Sequence, residues 1–202
     1  MSIFSRPTLL ALAITSTLAP ALSAQAPQFG LQASIMEPLG TLKTIDSRTG
    51  FALAATLDIP LDAFQSLRPR IEFTQAQSQT SIGTEIIGPY SWTTNMSAIT
   101  KHYYAGADYL VKPTASKDGV YLFLGLGVCK SSVKYEGSMI RADVPNAATE
   151  YIESGTDQTR LAFASGIGYS LGRHLSLEGK VTVSDFQGIT LSWVNLGASY
   201  RF

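Results

Sequence analysis

Charged side chains make up only 15% of this 202-residue sequence, against about 25% in an ordinary soluble domain. The 15 basic and 15 acidic groups cancel, which removes the electrostatic footprint of a nucleic-acid binder. There is one cysteine, Cys129, so an internal disulfide framework and a cysteine-based zinc site are excluded. Two histidines, His102 and His174, leave little for metal or acid–base chemistry, and neither a metal nor a cofactor is expected. Also missing is any apolar run of the roughly 20 residues that a membrane-spanning helix needs. Chain length bounds the architecture at one domain, or at most two small ones.

The one continuous apolar stretch lies near the start, from Thr8 to Ala19 behind the single cation Arg6. Pro20 breaks it, and small residues follow to Ser23 and Ala24. A positive start, a short apolar core and a small-residue close read as a secretory signal over residues 1–24, removed to leave a chain of residues 25–202 outside the cytoplasm.

Beyond residue 25 the recurring pattern is alternation, the mark of strands with two unlike faces. Eight such runs follow one another. Phe29, Leu31, Ala33 and Ile35 share one face of the first, and Phe51, Leu53, Ala55, Leu57 and Ile59 one face of the second. Ile71 and Phe73 oppose Arg70 and Glu72; Tyr103, Ala105, Ala107 and Tyr109 oppose His102, Tyr104 and Asp108. Leu122 to Val128 alternate with Tyr121, Phe123 and Cys129; Leu161, Phe163, Ile167 and Tyr169 alternate with Arg160 and small residues. Leu175, Leu177, Val181 and Val183 oppose Glu178 and Lys180, and Val194 to Phe202 oppose Arg201. Eight strands of about ten residues fill the chain, and no second domain fits.

The apolar face is continuous, whereas the opposite face mixes Gly, Ala, Ser and Thr with isolated charges. Small residues and lone charges cannot build a dry core, but they can line the narrow interior of an eight-stranded barrel. The greasy face then needs an apolar solvent, the inverted pattern of transmembrane barrels. The inward charges balance: Asp58, Glu72, Asp108 and Glu178 against Arg70, Arg160, Lys180 and Arg201. An unpaired charge in a confined interior costs several kcal/mol, so this balance predicts a cross-linked plug rather than an open channel. Ten residues rising about 3.3 Å each, tilted about 40°, climb roughly 25 Å, the height of a lipid-facing band. Phe29, Tyr109, Tyr169, Tyr200 and Phe202 fall at the strand ends nearest the termini and predict an interfacial aromatic girdle there. Residues 79–97 and 135–158 read as long loops at the far end; residues 60–68 read as an unusually long turn at the near end.

The closing segment Trp193–Phe202, with a final aromatic, another two before it and apolar residues at alternate positions upstream, resembles the terminal strand that outer-membrane barrels present to their insertion machinery. Gly168–Lys180 is similar to the strand–turn–strand unit of the small OmpA-, OmpX- and OmpW-like families, and Leu67–Phe73 is similar in character. The resemblance implies an all-β, eight-stranded antiparallel up-and-down barrel in the outer membrane, with the barrel-assembly machinery and outer-membrane lipid, lipopolysaccharide included, as partners. It does not imply one activity, because these families include adhesins, anchors and narrow conduits for apolar compounds. A monomer is expected, with no periplasmic peptidoglycan-binding domain.

Several residues invite a chemical reading. His174 and Ser176 have the His-x-Ser spacing of barrel lipid A deacylases, but parity turns them inward at the near end, away from an outer-leaflet ester. His102 is expected to be a satisfied interior histidine, and Cys129 an inert small interior residue. Lys101, Lys130 and Lys134 point outward near the loop end, where a cation can snorkel up to a glycolipid phosphate. Residues 135–158 carry five carboxylates against Arg141 alone, an acidic surface loop. Residues 88–94 expose Tyr90 and Trp92. The function expected is a non-catalytic structural or surface-interaction barrel with an occluded interior; a conduit for small apolar molecules is the alternative, and a lipid A-modifying enzyme ranks third.

Overall fold

The computed structural model describes residues 26–45, 48–77, 80–87, 89–114, 118–144 and 147–202; the expected signal segment lies outside them. Its elements are β1 (Gln28–Leu39), α1 (Gly40–Ile45), β2 (Gly50–Pro60), β3 (Gln65–Gln77), β4 (Ser81–Ile87), β5 (Tyr90–Val111), β6 (Gly119–Arg141), β7 (Thr149–Leu171), β8 (Leu175–Phe186) and β9 (Ile189–Arg201). All pairings are antiparallel, and they close on themselves because β1 pairs with β9 and β3 pairs with β5. The ring β1-β2-β3-β5-β6-β7-β8-β9 is an eight-stranded up-and-down barrel. The ninth strand, β4, continues the line of β3 along the same side of β5: β3 meets Ile99–Val111, and β4 meets Tyr90–Met96.

Turn chemistry sets the near end, where the Phe202 N–H donates to the Phe29 carbonyl at 2.9 Å and the start of β1 meets the end of β9. Between β2 and β3, Asp62 Oδ1 accepts from the backbone N–H of Phe64 and of Gln65, each at 2.7 Å, an Asx turn that reverses the chain. Pairing of β2 with β3 stops at Thr56↔Arg70 and resumes in the same register at Ile59↔Leu67; Pro69, which has no N–H to give, sits in the gap. The turn is therefore residues 61–64, not 60–68, and Arg68 belongs to a strand. At the far end the β8–β9 hairpin turns through Gln187 (φ 53°) and Gly188 (φ 79°), the positive-φ pair of a tight hairpin.

The inward–outward parity is the one the alternation predicts. Phe29, Leu31, Ile35, Leu53, Ile71, Leu122, Leu124, Phe163, Leu177 and Leu196 are exposed, whereas Gln32, Thr56, Arg70, Glu72, Asp108, Tyr121, Glu178, Lys180 and Arg201 are buried. Two expectations are corrected. Strands β5, β6 and β7 run for 22, 23 and 23 residues, not about ten, because the segments read as long loops continue as paired strand. On β7 that stretch is polar on both faces and hydropathy gives no strand signal, whereas on β5 Tyr90, Trp92 and Met96, and on β6 Val133, Tyr135 and Met139, still alternate with polar residues, a period that the reading as loops overlooks. The second correction concerns the interior, whose far half holds an apolar cluster, Met36, Leu42, Phe186, Leu191 and Trp193 with Tyr104, Cys129 and Val133, set among buried Thr100, His102, Ser131 and Thr182. Helix α1 supplies Leu42 to this cluster, fully buried. No helix among the described residues is long and apolar enough to cross a membrane.

Candidate functional site

Every one of the eight barrel strands contributes to a polar network in the near half of the interior. Its centre is Arg70 on β3. The guanidinium donates through Nη2 to Glu178 Oε1 at 2.5 Å, through Nε to Asp108 Oδ2 at 2.8 Å and through Nη1 to Gln32 Oε1 at 2.8 Å, and Nη1 lies 3.5 Å from Glu72. Arg68 donates to Asp58 and, through Nη1, to Glu178 Oε2 at 2.7 Å. Lys180 donates to Glu72, whose other oxygen accepts from Asn195 Nδ2 at 2.9 Å. Arg201 approaches Asp58 at 3.7 Å and donates to Ser170 Oγ on β7 at 3.1 Å. Tyr121 on β6 donates to Glu178 Oε2 at 3.1 Å. Arginine suits these crossings because its planar fork addresses two or three acceptors in fixed directions.

Seven of the eight expected interior charges, Asp58, Arg70, Glu72, Asp108, Glu178, Lys180 and Arg201, are buried in this network. Arg160 is not. It is exposed because β7 climbs past the β8–β9 hairpin there: Gln187 N already donates to Gln158 Oε1 at 2.5 Å, so inward parity at residue 160 meets the open mouth. Its place is taken by Arg68, 4% exposed, which sequence reasoning assigned to the turn. Parity could have found it, since Arg68 lies two residues before Arg70 on the same face. The balance of four acids against four bases survives the exchange.

Above the charges, His102 stacks on Trp193 with ring centroids 4.3 Å apart and planes at 9°, and its Nδ1 meets Ser131 Oγ at 2.9 Å. Cys129 is buried with Sγ 3.7 Å from the same hydroxyl. His174 departs from its expected inward pose: it is exposed at the β7–β8 turn, stacked at 5.7 Å on the outward Tyr200, with Nδ1 at 2.8 Å from the Arg201 carbonyl. Ser176 is fully buried and pairs with Ser199 Oγ at 2.6 Å. The two residues are thus engaged elsewhere and form no nucleophile–base pair.

The outward lysines differ from one another. Lys130 Nζ lies 2.8 Å from Asp157, and Lys134 Nζ lies 2.7 Å from Glu136 and 2.8 Å from Glu153. The Lys130 ammonium holds the Asp157 carboxyl below the usual carboxylate range, and the two glutamates hold the Lys134 ammonium up. Lys101, half-buried on β5, has no ion-pair partner among the described residues. Three of the five carboxylates of the expected acidic loop, Glu136, Glu153 and Asp157, are thus ion-paired along strands β6 and β7. At its tip Arg141 pairs with Asp143 at 2.7 Å and stacks 3.8 Å over the Tyr90 ring, while Trp92 is half-buried.

Phe29, Tyr109, Tyr169, Tyr200 and Phe202 are all exposed at the near end, with Phe202 against Phe29 at 5.9 Å and against Tyr200 at 5.1 Å. A second aromatic group, not anticipated, faces outward near the opposite boundary. Phe51, Phe73 and Tyr103 form a chain with centroid spacings of 5.9 and 5.2 Å across β2, β3 and β5.

The chain matches the family described as outer membrane protein beta-barrel domain over residues 8–202. No curated protein sequence matches it. Its fold is similar to that of Ail, the attachment invasion locus protein of Yersinia pestis, in a crystal structure with the heparin analogue sucrose octasulfate: identity is 15%, coverage is 87% of this chain and 96% of that chain, and the TM-score is 0.51. A further crystal structure of Ail matches with 13% identity over 87% and 96% of the chains, TM-score 0.50. OprG of Pseudomonas aeruginosa matches with 13% identity over 88% and 97%, TM-score 0.47. With the family match running over nearly the whole chain, and a closed barrel whose greasy side faces out, this protein belongs to the outer membrane protein beta-barrel family and resides in the cell outer membrane.

Proposed function

We propose that the protein is a closed, non-conducting barrel with a structural and surface-interaction role and no catalytic activity. The observation that carries this reading is the single network joining four buried acids to four buried bases from strands on every side of the interior. Prising it open would strand ions that have no other partner, at a cost of several kcal/mol each. Packed above it, Met36, Leu42, Leu191 and Trp193 are each 0% exposed. The surface role rests on the continuation of β4, β5, β6 and β7 well past the lipid-facing residues, a four-stranded sheet that stands clear of the membrane. The reading without catalysis is supported by the separate engagements of His174 and Ser176.

A narrow conduit for small apolar molecules is the second reading, and the apolar cluster in the far half of the interior is what favours it. Those side chains fill the space rather than line it, so the closed reading stands first. Planar-bilayer recordings on the refolded protein separate the two. The closed barrel gives no unitary conductance steps at voltages a bilayer tolerates and no flux of labelled apolar solute into vesicles; a reproducible step or a protein-dependent flux defeats it.

The girdle residues Tyr200 and Phe202 close β9 in the outward pattern that the assembly machinery reads in similar chains, which makes that machinery the proposed insertion partner, acting on a monomer.

A further inference from the structure

The outward face is not uniform. Over β6 and β7 it is built from large side chains such as Leu122, Leu124, Leu126, Leu161 and Phe163, all exposed. Over β1, β2, β3 and β5, small residues interrupt it. Ala33, Ala55 and Ala105 floor a groove of about 890 Å³, walled by Ile71, Phe73 and Tyr103, within the roughly 300–1,000 Å³ of ligand clefts. Register explains its course: Ala55 lies opposite Ile71, which lies opposite Ala105, while Leu53, Phe73 and Tyr103 form the next row. The groove therefore follows the hydrogen-bonding direction and climbs with strand tilt toward the far-end boundary.

What stands at its upper end decides the occupant. Two residues above Tyr103 on the same face is Lys101, flanked in register by Gln75 on β3 and Ser132 on β6. The other outward lysines on this rim, Lys130 and Lys134, are neutralised by carboxylates 2.7–2.8 Å away. Lys101 is the outward cation there that keeps its charge for a ligand among the described residues. A cation at headgroup height above an aromatic-walled apolar groove complements a molecule with an anionic head and hydrocarbon tails.

We propose that this face seats the phosphate-bearing glycolipid of the outer leaflet, with its phosphate on the Lys101 ammonium and one acyl chain over Ala33 and Ala55 against the wall of Ile71, Phe73 and Tyr103. Tyr103 places its phenol between the two regions and donates to the headgroup. The proposal narrows the three lysines singled out by sequence to one, and adds the groove that sequence could not reveal. It does not depend on whether the interior conducts.

Native mass spectrometry of the folded barrel, released from detergent micelles supplied with lipid A, tests it. Wild-type protein retains one lipid A, and retention falls about tenfold for the dephosphorylated form, the loss of one charge-assisted contact. Lys101→Gln shows the same fall with intact lipid A, Ala55→Phe falls by blocking the groove, and Lys130→Gln retains lipid as wild type does. Equal retention of the dephosphorylated lipid by wild-type protein overturns the phosphate contact without reference to any variant. A fall for Lys130→Gln as large as for Lys101→Gln overturns the site, and phosphatidylglycerol retained as well as lipid A overturns the choice of glycolipid. All substitutions face outward, and heat-dependent gel mobility reports that each variant is folded.

Discussion

The guanidinium of Arg70 shows why a barrel this narrow can hold charges at all. Three carboxylates and one amide surround it, and two of those carboxylates are shared with a second cation, Glu178 with Arg68 and Glu72 with Lys180. Replacing Arg70 by Leu leaves Asp108 and Glu178 short of a partner in an enclosed space, a loss of about 3–5 kcal/mol. The temperature at which the compact band converts to the unfolded band in SDS gels should drop by many degrees. Arg160→Ala, at the open mouth, should move it by no more than about 0.5 kcal/mol allows. If the two variants convert at the same temperature, the network is not what holds the interior. The contrast also marks what was legible from sequence at this scale. Parity places a side chain on a face, and seven of eight inward charges were readable that way. Parity does not say where along the strand the enclosure ends, which is why it reads Arg160 as inward; a turn read over residues 60–68 excludes Arg68.

At the scale of elements, large rings and glycines on adjacent strands explain how bulky inward residues fit. Tyr121 faces Gly168 and Phe123 faces Gly166 across β6 and β7, and a Cβ at Gly168 would overlap the Tyr121 ring. That ring also lies under Arg68, 5.3 Å away, and donates to Glu178, so the glycine indirectly positions the network. Gly168→Val should destabilise the barrel by about 1–3 kcal/mol through overpacking, and Tyr121→Val added to it should recover part of that loss in the same gel-shift assay. A double variant no better than the single would place the damage in the β7 backbone instead. These pairings were invisible beforehand, because register between β6 and β7 is a property of two strands. The same limit explains the length of β7: the alternation that betrays a strand requires two unlike environments. Beyond the hydrocarbon both faces of β7 carry Thr, Ser and Glu and leave no period to read, whereas Tyr90, Trp92 and Met96 on β5 and Val133, Tyr135 and Met139 on β6 keep one that is legible.

For the whole molecule the relevant dimension is the height of the apolar band. On β6 the outward apolar residues run from Val120 to Val128 before Lys130, and on β8 from Leu175 to Val183, with aromatic groups marking both boundaries. Nine residues at about 3.3 Å each, tilted about 40–45°, climb roughly 22 Å, short of the roughly 30 Å core of a common bilayer. A protein shorter than its bilayer must thin the lipid around it, at fractions of a kcal/mol per Å of mismatch. Summed over several Å, this penalty acts on the inserted state and leaves the polar sheet above it untouched. The folded yield on dilution from urea should therefore be greatest in vesicles of twelve- or fourteen-carbon lipids and decline as chains lengthen to eighteen carbons, read from the heat-sensitive gel band. Shortening the projecting sheet by joining Gln77 to Thr100 through a tight turn, with β6 and β7 trimmed to match, should leave that dependence unchanged, since the removed residues lie outside the band. A yield that rises with chain length, or a thickness optimum that moves with the sheet, would mean the boundary is set elsewhere than at Val128 and Val183.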